Sequence, residues 1–141
     1  MRAFLDTSAL VKLYDPSEPG RVQLLASLAP VTRIVLSELT RVEFVSAFQR
    51  KVRRGDLSPQ QAADIIAVFQ QSGADYDWVP LNALVLAHAA QLLRQHTSAA
   101  LRSLDAIQLA CALAPASQVS FFFAADQRLS AVAQSNGLRV A

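Results

Sequence analysis

Short apolar runs alternate along this chain with stretches whose apolar residues recur at helical spacing. Ala3 to Leu5, Ile34 to Leu36, Tyr76 to Leu81 and Val119 to Ala124 predict strands, the last dominated by Phe121, Phe122 and Phe123. Pro80 confines the third of these to a sheet edge or a strand end, because proline donates no ladder hydrogen bond. Thr7 and Ser8 start a helix directly after the first strand. Ser17 to Ala29 predicts a second, with Ser17 as N-cap and Val22, Leu25, Leu28 and Ala29 on one face. A long helix is expected from about Ser37 to Arg53, ended by Gly55. Ser58-Pro59-Gln60-Gln61 has the form of a capping box with proline at the first helical position, followed by Ala62, Ile65, Ile66 and Phe69 at i, i+3, i+4, i+7. Further helices are expected over Asn82 to Gln95 and Ser103 to Ala114. The final helix starts near Asp126, and Gly137 separates it from a last short strand. Strands alternating with helices imply an α/β fold with a mostly parallel central sheet of about four to five strands, covered on both faces. No repeat, linker or low-complexity tract divides residues 1–141, so one domain is expected.

Composition narrows the class. Apolar residues make up 52% of the 141 and charged residues 17%, which suits a packed core and excludes a disordered chain. The net charge of +2 and pI of about 9.1 permit contact with nucleic acid without a strongly basic stripe. The single cysteine excludes an internal disulfide framework and a cysteine zinc cluster, and Cys111 reads as a buried, inert thiol. Asp6 interrupts any secretory pattern, and no stretch approaches the roughly 18 apolar residues of a membrane span. A cytoplasmic protein without a membrane partner is expected.

Four acids stand in apolar surroundings: Asp6 where the first strand ends, Glu43, Asp105 and Asp126. From Trp78 onward Asp105 and Asp126 are the only acids. Each sits at a predicted helix start, where a carboxylate satisfies free amides. Glu43 reads as mid-helix, beyond capping range, and is either solvated on the helix flank, paired with Arg50, or turned inward. A buried carboxylate without a partner costs several kcal/mol or protonates, and inward lysines or arginines are too few to neutralise four. A hard divalent cation would serve all of them. Oxygen ligands without cysteine or a paired histidine select Mg²⁺ or Mn²⁺ over Zn²⁺; His88 and His96 are not spaced as a helical ligand pair, and His88 reads as structural. Such sites perform phosphoryl or phosphodiester chemistry.

The motifs DTSALVKLY (Asp6 to Tyr14), SELTRVEF (Ser37 to Phe44), LRSLDAIQLA (Leu101 to Ala110) and AADQRL (Ala124 to Leu129) occur in an order and spacing that resemble the PIN-domain ribonucleases, and among them the VapC-type toxins of type II toxin–antitoxin pairs. The resemblance spans essentially the whole chain. It implies a PIN-like three-layer α/β/α sandwich and an endoribonuclease toxin that cleaves RNA by metal-activated water, leaving 5′-phosphate and 3′-hydroxyl ends. It implies that Asp6, Glu43, Asp105 and Asp126 form an acidic quartet binding one or two Mg²⁺ or Mn²⁺ ions. Asp6 and Asp105 would be direct ligands, and Glu43 and Asp126 would act directly or through water. Ser8 matches a hydroxyl supporting the first acid, and Arg102 and Gln108 match frequent residues beside the third. Ala124 departs from the pattern, which often has threonine there. A small VapB-type antitoxin covering the acidic cleft and a homodimer are also implied.

Lys12, Arg102 and Arg128 lie nearest the acids in sequence and are candidates for substrate phosphate contacts. Arg50, Lys51, Arg53 and Arg54 form the densest basic cluster, read as a solvated helix C-terminus or else as an RNA track or antitoxin contact. Two other functions remain open: a non-catalytic RNA- or protein-binding module on the same fold, and a magnesium phosphatase of the haloacid dehalogenase type. The phosphatase is weakened by Ser8, which stands where that class needs a second aspartate.

Overall fold

The computed structural model describes residues 1–140. Five strands, β1 (Arg2–Leu5), β2 (Arg33–Ser37), β3 (Asp77–Val79), β4 (Phe121–Phe123) and β5 (Arg139–Val140), form one sheet in the order β3-β2-β1-β4-β5. All four pairings are parallel, with Phe4 opposite both Val35 and Phe122. The period of two along each strand sorts the core. Phe4, Val35 and Phe122 face α5 (Ala83–Gln95), α6 (Ser103–Leu113) and α7 (Gln127–Ser135), packing with Leu92, Leu109 and Leu129. Ala3, Leu5, Leu36 and Phe123 face α1 (Thr7–Tyr14), α2 (Arg21–Leu28), α3 (Thr40–Arg53) and α4 (Pro59–Gln71), packing with Leu10, Phe44, Phe48 and Phe69. The result is a three-layer α/β/α sandwich. Its strand order reverses direction at β1 and β4, the crevice beyond whose carboxyl ends is where open α/β sheets bind ligands.

Most local signals operate as expected. Ser58 and Gln61 exchange both capping-box hydrogen bonds ahead of α4, with Pro59 in its first turn. Asn82 caps α5, and β3 ends just before Pro80 on the sheet edge. Cys111 is buried with its Sγ donating to the Ser37 hydroxyl, and burial pushes the thiol up.

The segment after Asp15 differs. Ser17 does not cap a helix: its amide and hydroxyl both donate to Asp15 Oδ1 in a turn, and α2 begins at Arg21 behind Gly20. The residue preceding a proline is driven out of the helical region, and Pro19 acts in this way on Glu18. Gly20 then takes φ +81°, a left-handed conformation that strains any residue with a side chain. Leu24 is the buried anchor of α2, whereas Val22 and Leu25, expected inside, are 76% and 46% exposed. Lys51 is corrected as well. It is buried with its ammonium held by Asp15 Oδ2 at 2.8 Å and by Glu18, so it closes the same turn and belongs to no solvated basic cluster.

Candidate active site

The Asp6 amide donates to the Phe123 carbonyl at 3.0 Å, which fixes the residue at the junction of the two central strands. Its extended backbone makes it the N-cap of α1, and Oδ1 accepts from the Ala9 amide at 2.9 Å and the Ser8 hydroxyl at 2.6 Å. Ser8 Oγ in turn accepts from the Ala125 amide at 2.9 Å, so this hydroxyl fastens the first acid to the loop that carries the fourth. The Asp6 carboxyl is buried, and no cation pairs with it among the described residues. Burial pushes it up to about 7, against the Ser8 and Ala9 hydrogen bonds and with added repulsion from Glu43 and Asp105.

Glu43 lies in the first turn of α3 and not mid-helix. The helix was expected from Ser37, but the Ser37 hydroxyl accepts from the Leu39 amide in a turn, and α3 opens only at Thr40. Oε1 of Glu43 accepts from Thr7 Oγ1 at 2.8 Å and from Gln108 Nε2 at 2.5 Å. Gln108, itself buried, also donates to Thr40 Oγ1 at 3.1 Å, and its own carbonyl oxygen has no partner. Helices α1, α3 and α6 thus converge through one neutral network that orients a carboxylate without neutralising it. The pair with Arg50 does not form.

Asp105 sits in the first turn of α6, whose N-cap position belongs to Arg102. Partial burial raises its pKa, countered by the Arg102 amide and reinforced by the charge of Asp126. Asp6, Glu43 and Asp105 line one cavity of about 240 Å³. Asp126 stands beside it as the N-cap of α7, accepting from the Arg128 amide at 2.8 Å. Burial raises the Asp126 carboxyl, but the amides of Arg128 and Leu129 and the Arg128 guanidinium outweigh this and leave it below the usual range.

The proposed phosphate contacts are placed unevenly. Arg128 is exposed and 3.6 Å from Asp126, and Arg102 is exposed close enough to influence Asp105. Lys12 does not face the acids; it lines a separate hollow with Gly20, Gln23 and Ala124. The cation that does border the acid cavity is Arg50, which its place in a basic run had hidden. Its spacing from Glu43, two turns along one helix face, was the available signal.

The donor set suits a hard cation: buried and half-buried carboxylates, no thiol, no histidine, and pKa values raised chiefly by burial. Among the described residues no three acid, histidine or cysteine side chains close into a ready three-ligand cage.

A family model of the PIN domain matches residues 3–135. Ribonuclease VapC45 of Mycobacterium tuberculosis (strain CDC 1551 / Oshkosh) is 33% identical over 138 residues, covering 98% of this chain and 93% of the relative. Among solved structures, VapC20 of Mycobacterium tuberculosis, described as a toxin cleaving the sarcin–ricin loop, aligns at TM-score 0.67 and 20% identity over 92% of this chain and 93% of its own. VapBC2 of Rickettsia felis, bound to a DNA fragment from its promoter, aligns at TM-score 0.67 and 14% identity over 100% and 98%.

Proposed function

Because this chain belongs to the PIN-domain family, and within it to the VapC ribonucleases, we propose that it is a metal-dependent endoribonuclease toxin restrained by a small antitoxin. The observation that carries this reading is Asp6: a buried carboxyl, pushed up to about 7, sharing a cavity with Glu43 and Asp105 and ion-paired to no basic side chain among the described residues. Without an ion such a cluster is a standing penalty; with Mg²⁺ or Mn²⁺, one ion or two, it becomes a site. A bound divalent cation would lower the pKa of a water and neutralise charge growing on a phosphodiester. Asp6 and Asp105 are the assigned protein ligands. Ser8 holds Asp6 in rotamer through its 2.6 Å hydrogen bond, and the Thr7–Gln108 network aims Glu43 at the same cavity. Asp126 contributes charge from the rim through water. Because Ser8 is committed to Asp6 and the Ala125 amide, no second nucleophile-side acid stands where a haloacid-dehalogenase phosphatase needs one.

The name of the curated relative supports RNA as substrate, and the Rickettsia felis VapBC2 pair supports an antitoxin. A homodimer is consistent with Val42 and Val68, 71% and 53% exposed on α3 and α4. No helix among the described residues is long and apolar enough to cross a membrane.

Purified protein freed of any copurifying partner, incubated with total RNA, should cut it with Mg²⁺ and not with EDTA, leaving 5′-phosphate and 3′-hydroxyl ends. RNA left intact in Mg²⁺ and Mn²⁺ alike, with retention on a filter, would instead identify a binding module. Gln108→Leu removes two donors from the network while preserving the apolar surroundings of α6. It should lower cleavage about tenfold and weaken Mg²⁺ binding measured by calorimetry, since one supporting contact commonly carries that much. Unchanged Mg²⁺ affinity would remove Gln108 from the site.

A further inference from the structure

Among the residues that line the acid cavity, three are carboxylates and one, Arg50, is basic. Arg50 borders the cavity of Asp6, Glu43 and Asp105, and it also borders an adjoining hollow of about 170 Å³ that contains Ser8, Ala47, Arg54 and Ala125. The two spaces share Ser8, Val11, Ala47 and Arg50, so they form one groove turning around the Arg50 side chain. Arg50 is exposed and makes no ion pair among the described residues, even though three acids line the same cavity. Its neighbours in the basic run are otherwise engaged. Lys51 and Glu18 border the second hollow, but the Lys51 ammonium is buried and paired with Asp15 and Glu18, and Arg53 lines neither hollow. Arg54 reaches the second hollow, 3.5 Å from Asp56 on a side chain more than half exposed.

A guanidinium that stays free beside carboxylates is suited to an anion brought in from outside, and its fork matches the two non-bridging oxygens of a phosphate. We propose that Arg50 is the substrate-anchoring residue of this site, gripping a backbone phosphate of single-stranded RNA next to the acid cavity, with the strand continuing along the groove toward Arg54. Of the basic cluster on α3, only these two residues then belong to the RNA path. The assignment deepens the ribonuclease reading and rests on it for the identity of the anion.

The test separates the two ideas by using binding for one and cleavage for the other. In a non-cleaving Asp6→Asn background with EDTA, a fluorescein-labelled mixed-sequence RNA of about twelve nucleotides is titrated by anisotropy at several NaCl concentrations. Arg50→Gln should weaken binding about tenfold and flatten the slope of log K against log salt by about 0.7, the value for one lost single-strand phosphate contact. Arg50→Lys should restore the slope and part of the affinity, because a point charge replaces a fork. Arg53→Gln should shift binding by less than about twofold. Melting temperatures of the Arg50 variants should match their parent, since the side chain is exposed and unpaired. An Arg50→Gln variant that binds RNA like its parent, or no worse than Arg53→Gln, overturns the proposal. So does one that binds RNA normally but loses binding of an antitoxin segment, which would make Arg50 a protein contact. If wild-type protein never cuts RNA while Arg50 still governs binding, the ribonuclease reading fails and the phosphate anchor stands.

Discussion

Asp6→Asn should reduce RNA cleavage by at least about a thousandfold and, in metal-free protein at pH 8, raise the melting temperature by several degrees. Loss of activity alone would not distinguish a ligand from a structural residue; the paired gain in stability does. In the folded chain the Asp6 carboxyl is raised from 3.8 to about 7, first by burial. A group raised on folding contributes stability that is fully present below its unfolded value and lost as pH climbs through the folded one. Metal-free wild type should therefore lose stability between about pH 4 and pH 7, by about 4 kcal/mol from this group. Asparagine keeps the N-cap of α1 and carries no charge, so the variant should lack that decline. Saturating Mg²⁺ should raise the melting temperature of wild type at pH 8 and scarcely at pH 5, where protons compete for the site. Thermal unfolding of the two proteins from pH 4 to pH 8, with Mg²⁺ or EDTA, reads all of this. Parallel pH profiles for wild type and variant would show that Asp6 is not the strained group, and an active variant would remove it from the chemistry.

Lys51→Met should lower the melting temperature at pH 7 by about 10 °C, the largest stability loss expected from any basic residue in the chain. The ammonium is nine-tenths buried and clamps Asp15, at the end of α1, and Glu18 to the C-terminal turn of α3. Removing it leaves Asp15 desolvated and uncompensated, which costs about 3 kcal/mol in comparable buried pairs. The sign with pH runs opposite to that of Asp6. Burial alone would raise the Asp15 carboxyl, but Lys51 and the Ser17 hydrogen bonds outweigh it and hold the pKa below 3.8. Its contribution is present above that value and lost as pH falls through the depressed one, so the gap between Lys51→Met and wild type should narrow below about pH 3.8. A shift under about one degree at pH 7 would return Lys51 to the solvated surface. Arg53→Met provides the exposed comparison on the same helix.

Much of the fold was legible because its signals are local. Phe121 to Phe123 and the Ser58–Gln61 box each specify an element from within a few residues, and parallel strands buried on both faces read as short apolar runs. Asp6, Glu43 and Asp105, which line one cavity, stand out in the sequence for another reason: carboxylates are conspicuous in apolar stretches. The failures lie where a distant partner decides. Lys51 looked like one of four solvated cations because Asp15 and Glu18, its partners from 33 residues or more away, cannot be seen from α3. Glu43 looked mid-helix because the turn at Ser37 depends on a hydroxyl accepting its own chain's amide, and nothing in the apolar period marks it. Val22 and Leu25 were placed on the apolar face with Leu28, whereas the core takes the face that carries Leu24, a choice set by packing against other elements. Lys12, adjacent to the acids in sequence, is turned toward another hollow by the direction of α1.

The pairing of β1 with β4 brings Ala3 opposite Phe121 and so joins segments far apart in the sequence. During synthesis, β1 can recruit β2 early, but its other edge must wait until most of the chain has left the ribosome. Until then an apolar strand stays open to foreign backbones, an invitation to misassembly. The same delay means that Asp6 lacks its Ser8–Ala125 brace, and Asp105 its Asp126 neighbour, until β4 docks, so the acid cavity is among the last features of the fold to be completed.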